Sequence, residues 1–472
     1  MTPVARLVFP ALRWRRRTGF DHERPRIERT LKLGVGGYIF FGGTAEAAGG
    51  LIRDLRAAAP HPLLLASDFE RGVGQQFTDR THLPPPAALG FVGNPELTAR
   101  CGQITARQAR HAGINWVYAP VADLDVQPDN PIVQTRSFGD LPDRVGAQVA
   151  AWVRGAEAEG VATSAKHYPG HGRTRLDSHE TLPAVDATLD ALAASDLKPF
   201  ADAVAAGTRS VMTAHVAYPG WDSSGLPASL STPILRHLRR ALGFDGVIVT
   251  DALIMEGVLR GRGAAGAVVA AVAAGADALL YPQDAEAVVK ALNAAAGKAL
   301  PGARVDDALG RIARLADAVD AIDPTAPDLG EDAAFADALA DMTLHVLRGE
   351  ALSLTQPLEI RLVDDDVGGP YAVGSRDVFA RRLTTLGIQM GTGGSSILLV
   401  YSEPRSWKGR AMLGGVSLAA IRRAVPSASL VILFGHPRLA GQLEGEAPVL
   451  CAWHGQPLMQ QAAARWVAAR LR

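Results

Sequence analysis

Cysteine is nearly absent from this 472-residue chain: only Cys101 and Cys451 occur, far apart and outside any metal-ligand spacing. That excludes a disulfide framework and a thiolate zinc site, and two reduced thiols suit the cytosol. Net charge is missing as well, with 48 Lys+Arg against 48 Asp+Glu. Nucleic-acid binding rests on basic surface meeting phosphate, so it has no overall electrostatic support here. Long hydrophobic runs are also lacking. The most apolar window, Ala264 to Leu280, is largely Ala and Gly and is broken by Asp277. It falls short of the ~18–20 strongly apolar residues that a membrane span requires. At the N-terminus the apolar stretch Leu7 to Leu12 precedes Arg13, Arg15, Arg16 and Arg17, whereas a secretory signal puts its charges first. The expectation is a cytoplasmic protein with no membrane or nucleic-acid partner and no signal for its oligomeric state.

What is present is alternation. From Val4 to about Leu280, short apolar runs are followed by polar or Gly/Pro-rich turns and then by Ala/Arg/Glu segments with helical spacing, which reads as successive βα units. The runs are Ala5 to Phe9, Gly37 to Phe41, Pro62 to Ser67, Asn115 to Pro120, Ala162 to Ala165, Ser210 to Ala214, Gly246 to Thr250 and Asp277 to Tyr281. Their number points to an α/β fold of the (β/α)8 TIM-barrel type over about residues 1–320, with a doubly wound open sheet as the alternative. Helices are expected over Thr98 to His111, after an Asn94-Pro95 opening, and over Thr188 to Gly207. Residues 321–344 read as a linker with a bridging helix, Glu331 to Leu347. Residues 345–472 read as a smaller α/β sandwich domain. Its strands are expected at Leu358 to Val363, Ser396 to Tyr401, Ser429 to Phe434 and Pro448 to Ala452, with helices near Ser375 to Leu386, Ser417 to Val425 and Gln456 to Leu471.

In a barrel the working residues hang from the C-terminal strand ends. Polar residues directly after apolar runs are Asp68, Lys166, His167, His215 and Asp251. A carboxylate closing the buried run Gly246 to Thr250 is costly unless hydrogen-bonded or used, although a lone Asp there can also be a helix cap. The stretch Lys166-His-Tyr-Pro-Gly-His-Gly-Arg-Thr-Arg-Leu-Asp-Ser-His179 is too Gly-rich for a helix and too polar for a core, and such a loop can move. Asp177 stands two residues from His179, a spacing at which a carboxylate can hold the imidazole's tautomer and support its protonated form. Histidine exchanges protons near neutrality. An acid/base dyad facing a candidate nucleophile is the reading.

These residues resemble a known family. Lys166 to His179 with Leu182-Pro183, Ser137-Phe-Gly139 after Arg136, Met212-Thr-Ala-His215 and Thr250-Asp-Ala-Leu-Ile-Met255 look like glycoside hydrolase family 3, in its β-N-acetylhexosaminidase branch of two-domain type. The resemblance implies that Asp251 is the nucleophile and that His179, partnered by Asp177, is the general acid/base of a retaining exo-β-N-acetylglucosaminidase. Its substrate would be a small carbohydrate, including muropeptides from cell-wall recycling, and no metal or cofactor would be needed. Asp68, Arg136, Lys166 and His167 match positions that hold sugar hydroxyls. His215 matches a supporting rim position, and Gln76 and Met255 belong with the substrate-binding set. One segment departs from the pattern: where the family usually reads Asp-Gln-Glu-Gly-Gly-x-Val-x-Arg, this chain reads Asp68-Phe-Glu-Arg-Gly-Val-Gly-Gln-Gln76. Gln76 cannot supply the charge of the arginine it replaces.

Four competitors remain in view. A metal hydrolase would use His167, His171, His179 and His215 with Asp251 as ligands. A family 3 β-glucosidase would draw an acid/base Glu403 or Glu444 from the C-terminal domain. A glycoside phosphorylase would exploit an imidazole that, unlike a carboxylate, does not repel phosphate. A sugar-binding protein that has lost catalysis is the non-enzyme alternative.

Overall fold

The structure, a computed structural model, describes residues 3–178, 181–259, 263–320, 326–350, 353–369, 373–405 and 407–471. Each of the eight apolar runs contains a strand. In chain order they are β1 (Val8–Phe9) with β2 (Ala11–Arg13), β3 (Gly37–Phe41), β4 (Leu64–Ser67), β5 (Trp116–Val117), β6 (Ala162–Tyr168), β7 (Ser210–Thr213), β8 (Val247–Thr250) and β9 (Leu279–Leu280). The first expected run is displaced: Pro3–Leu7 is a 3-10 turn, and the strand runs on past Phe9 to Arg13. Pro10 divides β1 from β2 because it has no N–H to give, yet its carbonyl still accepts from Ile39 N at 3.0 Å. β1 and β2 therefore act as one strand.

All strand pairs from β2 to β8 are parallel and follow chain order. The remaining seam closes through Val249 beside Ala278, and through Val8 and Phe9 paired with Leu279 and Leu280. The result is a closed barrel, not an open doubly wound sheet. Strands buried on both faces explain why the runs read as continuously apolar and not as alternating. β4, β6, β7 and β8 are buried along their whole length.

The helices follow the expected chemistry with one difference. Asn94 caps Pro95–His111, its side chain accepting from Glu96 N at 2.8 Å. The segment from Thr188 forms two helices, Leu189–Ala193 and Lys198–Ala205. Pro199 suits the first turn of the second helix and not the interior of a single long one.

Helix Leu329–Thr343, capped by Asp328, is shorter than the expected bridging helix because its last residues turn into β10 (His345–Arg348). This strand pairs antiparallel with β14 (Val449–Cys451) at the edge of a five-stranded sheet of order β10-β14-β13-β12-β11. Here β11 is Glu359–Asp364, β12 is Ser396–Ser402 and β13 is Leu430–Gly435, and these pair in parallel with one another and with β14. One apolar cluster around Phe379, Leu383 and Val467 fills one face, and another around Ile421, Leu439 and Leu443 fills the other.

This second sheet is fastened to the barrel. Asp125, in a barrel loop, meets His436 Nε2 at 3.0 Å and the Arg438 guanidinium, and Arg438 also donates to the carbonyls of Gln127 and Pro128. Gln456 Nε2 donates to Leu83 O at 2.7 Å, and Phe91 stacks on His345 with ring centroids 4.0 Å apart. The buried Asp332 of the bridging helix takes Arg107 at 2.6 Å and Gln108 at 2.7 Å from a barrel helix.

At the opposite end of the barrel, Asp277 carries the seam between β8 and β9. Fully buried, it accepts from Ile248 N at 2.9 Å and from Arg304 at 2.6 Å, and it also pairs with Arg239. Asp277→Ala leaves Arg239 without its carboxylate and Arg304 with only the half-exposed Asp307. It should cost about 3–5 kcal/mol in urea unfolding; a loss below about 1 kcal/mol, the range of an exposed pair, would mean the seam holds without it.

Candidate active site

The C-terminal strand ends surround a cavity of about 370 Å³, toward the lower end of the range for small-ligand pockets. Asp251 follows β8 and lines it. The backbone fixes this residue: Asp251 N donates to Thr213 O at 3.1 Å, and Ala252 N donates to Asp251 Oδ1 at 2.7 Å. Met255, nearly fully buried, lines the same cavity just beyond it.

A network of opposite charges forms another part of the wall. Asp68 follows β4, and Lys166 lies within β6. Lys166 Nζ donates to Asp68 Oδ1 and Glu70 Oε1, both at 2.7 Å. Arg136, at the end of the turn Gln134–Arg136, forks onto Glu70 with Nε to Oε2 at 2.9 Å and Nη2 to Oε1 at 2.7 Å. Burial alone would raise the Glu70 carboxyl, but Arg136 and Lys166 overcome it and hold the group well below the ordinary carboxylate range. Burial likewise opposes the Lys166 charge, and Asp68 with Glu70 outweighs it and raises the ammonium above its usual value. Both partners are thus charged at neutrality. Two hydrogens of the ammonium are committed, leaving one to offer, and a second Asp68 oxygen is left to accept.

Asp123 organises the histidine loop. It is fully buried; Oδ2 meets His167 Nδ1 at 2.7 Å, while Oδ1 accepts from His167 N at 3.2 Å and His171 N at 2.6 Å. Burial works against its charge, yet His167 and His171 keep the carboxyl below its ordinary value. With Nδ1 engaged, Nε2 is the His167 nitrogen available to a ligand. His171 is different: its nitrogens meet Thr174 Oγ1 at 2.8 Å and Ser178 Oγ at 2.9 Å. Burial pushes its imidazole down to about 4 despite Asp123, so it is a neutral spacer near pH 7. The loop's glycines serve close packing, since a Cβ on Gly172 would lie 1.9 Å from Leu124 O.

The residues singled out in the sequence are therefore largely gathered. Asp68, Gln76, Arg136, Lys166, His167, Asp251 and Met255 all line one cavity, which is what the barrel reading requires. Gln76 accepts from Gly42 N at 3.2 Å. Asp177 is buried next to Ser178, which reaches the cavity, and His179 lies outside the described residues. His215 needs correction as a substrate contact. It is fully buried behind the wall, with Nδ1 on Ser229 Oγ at 2.7 Å and Nε2 donating to Ala252 O at 3.2 Å, so it supports the turn after Asp251. Among the described residues no group of three or more His, Cys, Asp or Glu is placed to hold a metal ion, and none of their helices is long and apolar enough to cross a membrane.

Sequence reasoning passed over Glu70, Arg71 and Asp123, and it took Glu403 only as a rival acid. Asp123 was within reach: the fourth apolar run continues through Val121-Ala122, and Asp123 is the polar residue that ends it. Glu403, Arg405 and His454 reach the cavity from loops after β12 and β14, a placement that no local pattern announces.

A closed barrel thus gathers a strand-end carboxylate and several charged side chains around one cavity, a constellation equipped for nucleophilic and acid/base chemistry. Residues 18–315 match the Glycosyl hydrolase family 3 N terminal domain, and the chain belongs to that family. It is similar to a beta-N-acetylglucosaminidase/beta-glucosidase of Cellulomonas fimi, 32% identical over 265 residues that make up 54% of this chain and 47% of that one, so the match spans about half of that relative. It is also similar to a beta-hexosaminidase of Chromobacterium violaceum, 37% identical over 286 residues that cover 58% of this chain and 78% of that one. Among solved structures, a family 3 beta-N-acetylglucosaminidase from Paenibacillus sp. str. FPU-7 superimposes with a TM-score of 0.85 at 27% identity, covering 100% of this chain and 96% of that one.

Replacing Asp123 by Asn keeps an acceptor for the two backbone N–H groups but presents an N–H to His167 Nδ1, which reverses the imidazole's tautomer. Loss of one charge-assisted bond is worth roughly 10–100-fold, so kcat/KM should fall by that factor with an unchanged fold by circular dichroism. Unchanged kinetics would remove Asp123 from the account.

Proposed function

We propose that the protein is a retaining, exo-acting β-N-acetylglucosaminidase of the cytoplasm that releases terminal β-linked N-acetylglucosamine, including from muropeptides. The observation that carries this reading is the convergence of Asp251 with Asp68, Arg136, Lys166 and His167 on one cavity of about 370 Å³. That volume suits a terminal sugar better than a polymer passing through. Charged groups that bond to hydroxyls strongly penalise a ligand lacking them. The N-acetylglucosaminidase and hexosaminidase names of the relatives point the same way.

In this mechanism Asp251 attacks the anomeric carbon while the Asp177-His179 dyad protonates the departing oxygen. Water, deprotonated by the same imidazole, then displaces Asp251 with net retention. The ground-state network around Glu70 is already ionised and hydrogen-bonded, so little reorganisation accompanies charge development at the sugar.

Glu403 is poorly suited to the acid role that a β-glucosidase reading would give it. Oε1 faces Gly455 N at 2.8 Å, His454 Nδ1 at 3.3 Å and Arg376 Nη1 at 3.4 Å, and Oε2 takes Arg405 Nη2 at 2.6 Å. Burial favours the neutral acid, but the cations Arg405, Arg376 and Arg71 together hold the carboxyl far below its ordinary range. It has no proton to give near pH 7. Glu444 pairs with Arg422, and both are exposed.

The test is hydrolysis of an aryl N-acetylglucosaminide and the matching aryl glucoside, each with and without inorganic phosphate. The N-acetylglucosaminide should be strongly preferred, with the β-anomer formed first. Glucoside preference, or the α-anomer as first product, overturns the reading. Asp251→Ala should lower kcat by several orders of magnitude while the protein stays folded. His179→Ala should slow glycosides with poor leaving groups far more than activated aryl glycosides, which need little protonation; equal losses would deny His179 the acid role.

A further inference from the structure

Barrel strand ends form the floor of the cavity, and loops of the second sheet reach its mouth. Glu403, Pro404 and Arg405 follow β12, and His454 follows β14. Between floor and mouth stands Arg71, in the segment where this chain departs from its family: an arginine at a position usually held by glycine, five residues before Gln76, which stands where arginine is usual.

Arg71 Nη1 is hydrogen-bonded to His454 Nε2, a bond that crosses from the barrel to the second sheet. A guanidinium only donates, so His454 Nε2 is the acceptor; Nδ1 accepts from Gln456 N at 3.0 Å and lies 3.3 Å from Glu403 Oε1. Glu403, His454 and Arg71 thus lie in sequence across the two sheets, with the imidazole holding the guanidinium. Burial, seconded by Arg71, keeps His454 well below its usual value, hence neutral.

The charge balance at this corner is unequal. Arg136 and Lys166 are matched by Asp68 and Glu70. Arg376 is matched by Asp364 at 2.9 Å and Asp366 at 2.8 Å. Arg405 takes Glu403 at 2.6 Å, and its Nε is buried with no hydrogen-bond partner among the described residues. Arg71 has no carboxylate oxygen in ion-pair reach among the described residues, only the neutral His454. A cation enclosed in protein is costly unless paired. Here the open side of the guanidinium is the cavity.

We propose that Arg71, held by His454 and flanked by Arg405, is an oxyanion-recognising corner beside the leaving-group side of the bound sugar, making the enzyme selective for N-acetylglucosaminides whose leaving group carries a carboxylate. The inference rests on the proposed glycosidase activity and adds the class of aglycone. It assigns the second sheet a part in the site: without Glu403 and His454, Arg71 loses its support. The charge missing at Gln76 is replaced by one approaching from a neighbouring position. Free phosphate shares the recognised chemistry, and the experiment separates the two sources.

The test compares 4-carboxyphenyl and 4-carbamoylphenyl N-acetylglucosaminides, which differ in charge at nearly constant shape. The wild type should favour the carboxylate on the order of tenfold or more in kcat/KM, mostly through KM, with the ratio falling as salt is raised. In Arg71→Gln and in Arg405→Gln the ratio should drop toward one. The second variant guards against misfolding of the first, because Arg405 lies on a mouth loop. Inorganic phosphate added to the neutral glycoside supplies the other arm. Sugar 1-phosphate formed by the wild type and lost in Arg71→Gln identifies the corner's oxyanion as free phosphate, whereas a carboxylate preference without any phosphate effect identifies it as part of the substrate. A wild-type ratio near one with no phosphate effect overturns the corner, as does a ratio that survives in both variants. Both glycosides being inert overturns the glycosidase reading and this inference with it, while equal turnover of the two without any phosphate effect overturns the corner alone.

Discussion

Glu70 is nearly buried, and it is shared by two cations, Arg136 through a two-pronged fork and Lys166 through a 2.7 Å contact. Removing any one of the three leaves an uncompensated charge inside the barrel mouth, a penalty far larger than that of breaking an exposed pair. This mutual dependence sets the positions of Lys166, Asp68 and Arg136 before any ligand arrives. A binding wall of that kind is rigid by necessity: the groups that would greet sugar hydroxyls are held by each other, not by the sugar. Asp123 does the same for the histidine loop, using one carboxylate to fix a ring nitrogen and two backbone N–H groups.

The two sheets cooperate at one place. Parallel strands whose ends splay outward give a barrel an open mouth on its C-terminal face, and here the loops after β12 and β14 occupy part of that opening. Asp125, Leu83 and Phe91 on the barrel side are each engaged by residues of the second sheet, so the mouth loops are held in register with the floor. The consequence is a cavity whose Asp251 comes from one unit and whose Arg71–His454 contact joins both.

Much of the barrel could be read from the chain because strands buried on two faces leave continuous apolar runs, and because a polar residue ending such a run has few reasons to be there other than use. Asp68, Lys166, His167 and Asp251 fell out of that single rule. His215 obeyed it equally well and yet lies behind the wall, since a strand-end side chain can turn toward the next loop as readily as toward the cavity. Glu70 and Asp123 escaped for a different reason: their importance comes from partners 66 and 44 residues away, and long-range charge pairing leaves no local mark. β10 was hidden inside a helical pattern because Leu344 to Leu347 suits either state until β14 offers an edge to pair with.

The claim on which the chemistry turns is that Asp251 bonds covalently to the anomeric carbon. It is tested most directly by incubating the enzyme with a slowly released 5-fluoro N-acetylglucosaminide bearing an activated leaving group, digesting the trapped protein and locating the added mass by peptide sequencing in a mass spectrometer. The account predicts a single adduct on the peptide containing Asp251, at the side chain of that residue. An adduct on Glu70, Glu403 or any other carboxylate, or steady turnover with no adduct accumulating, would contradict it.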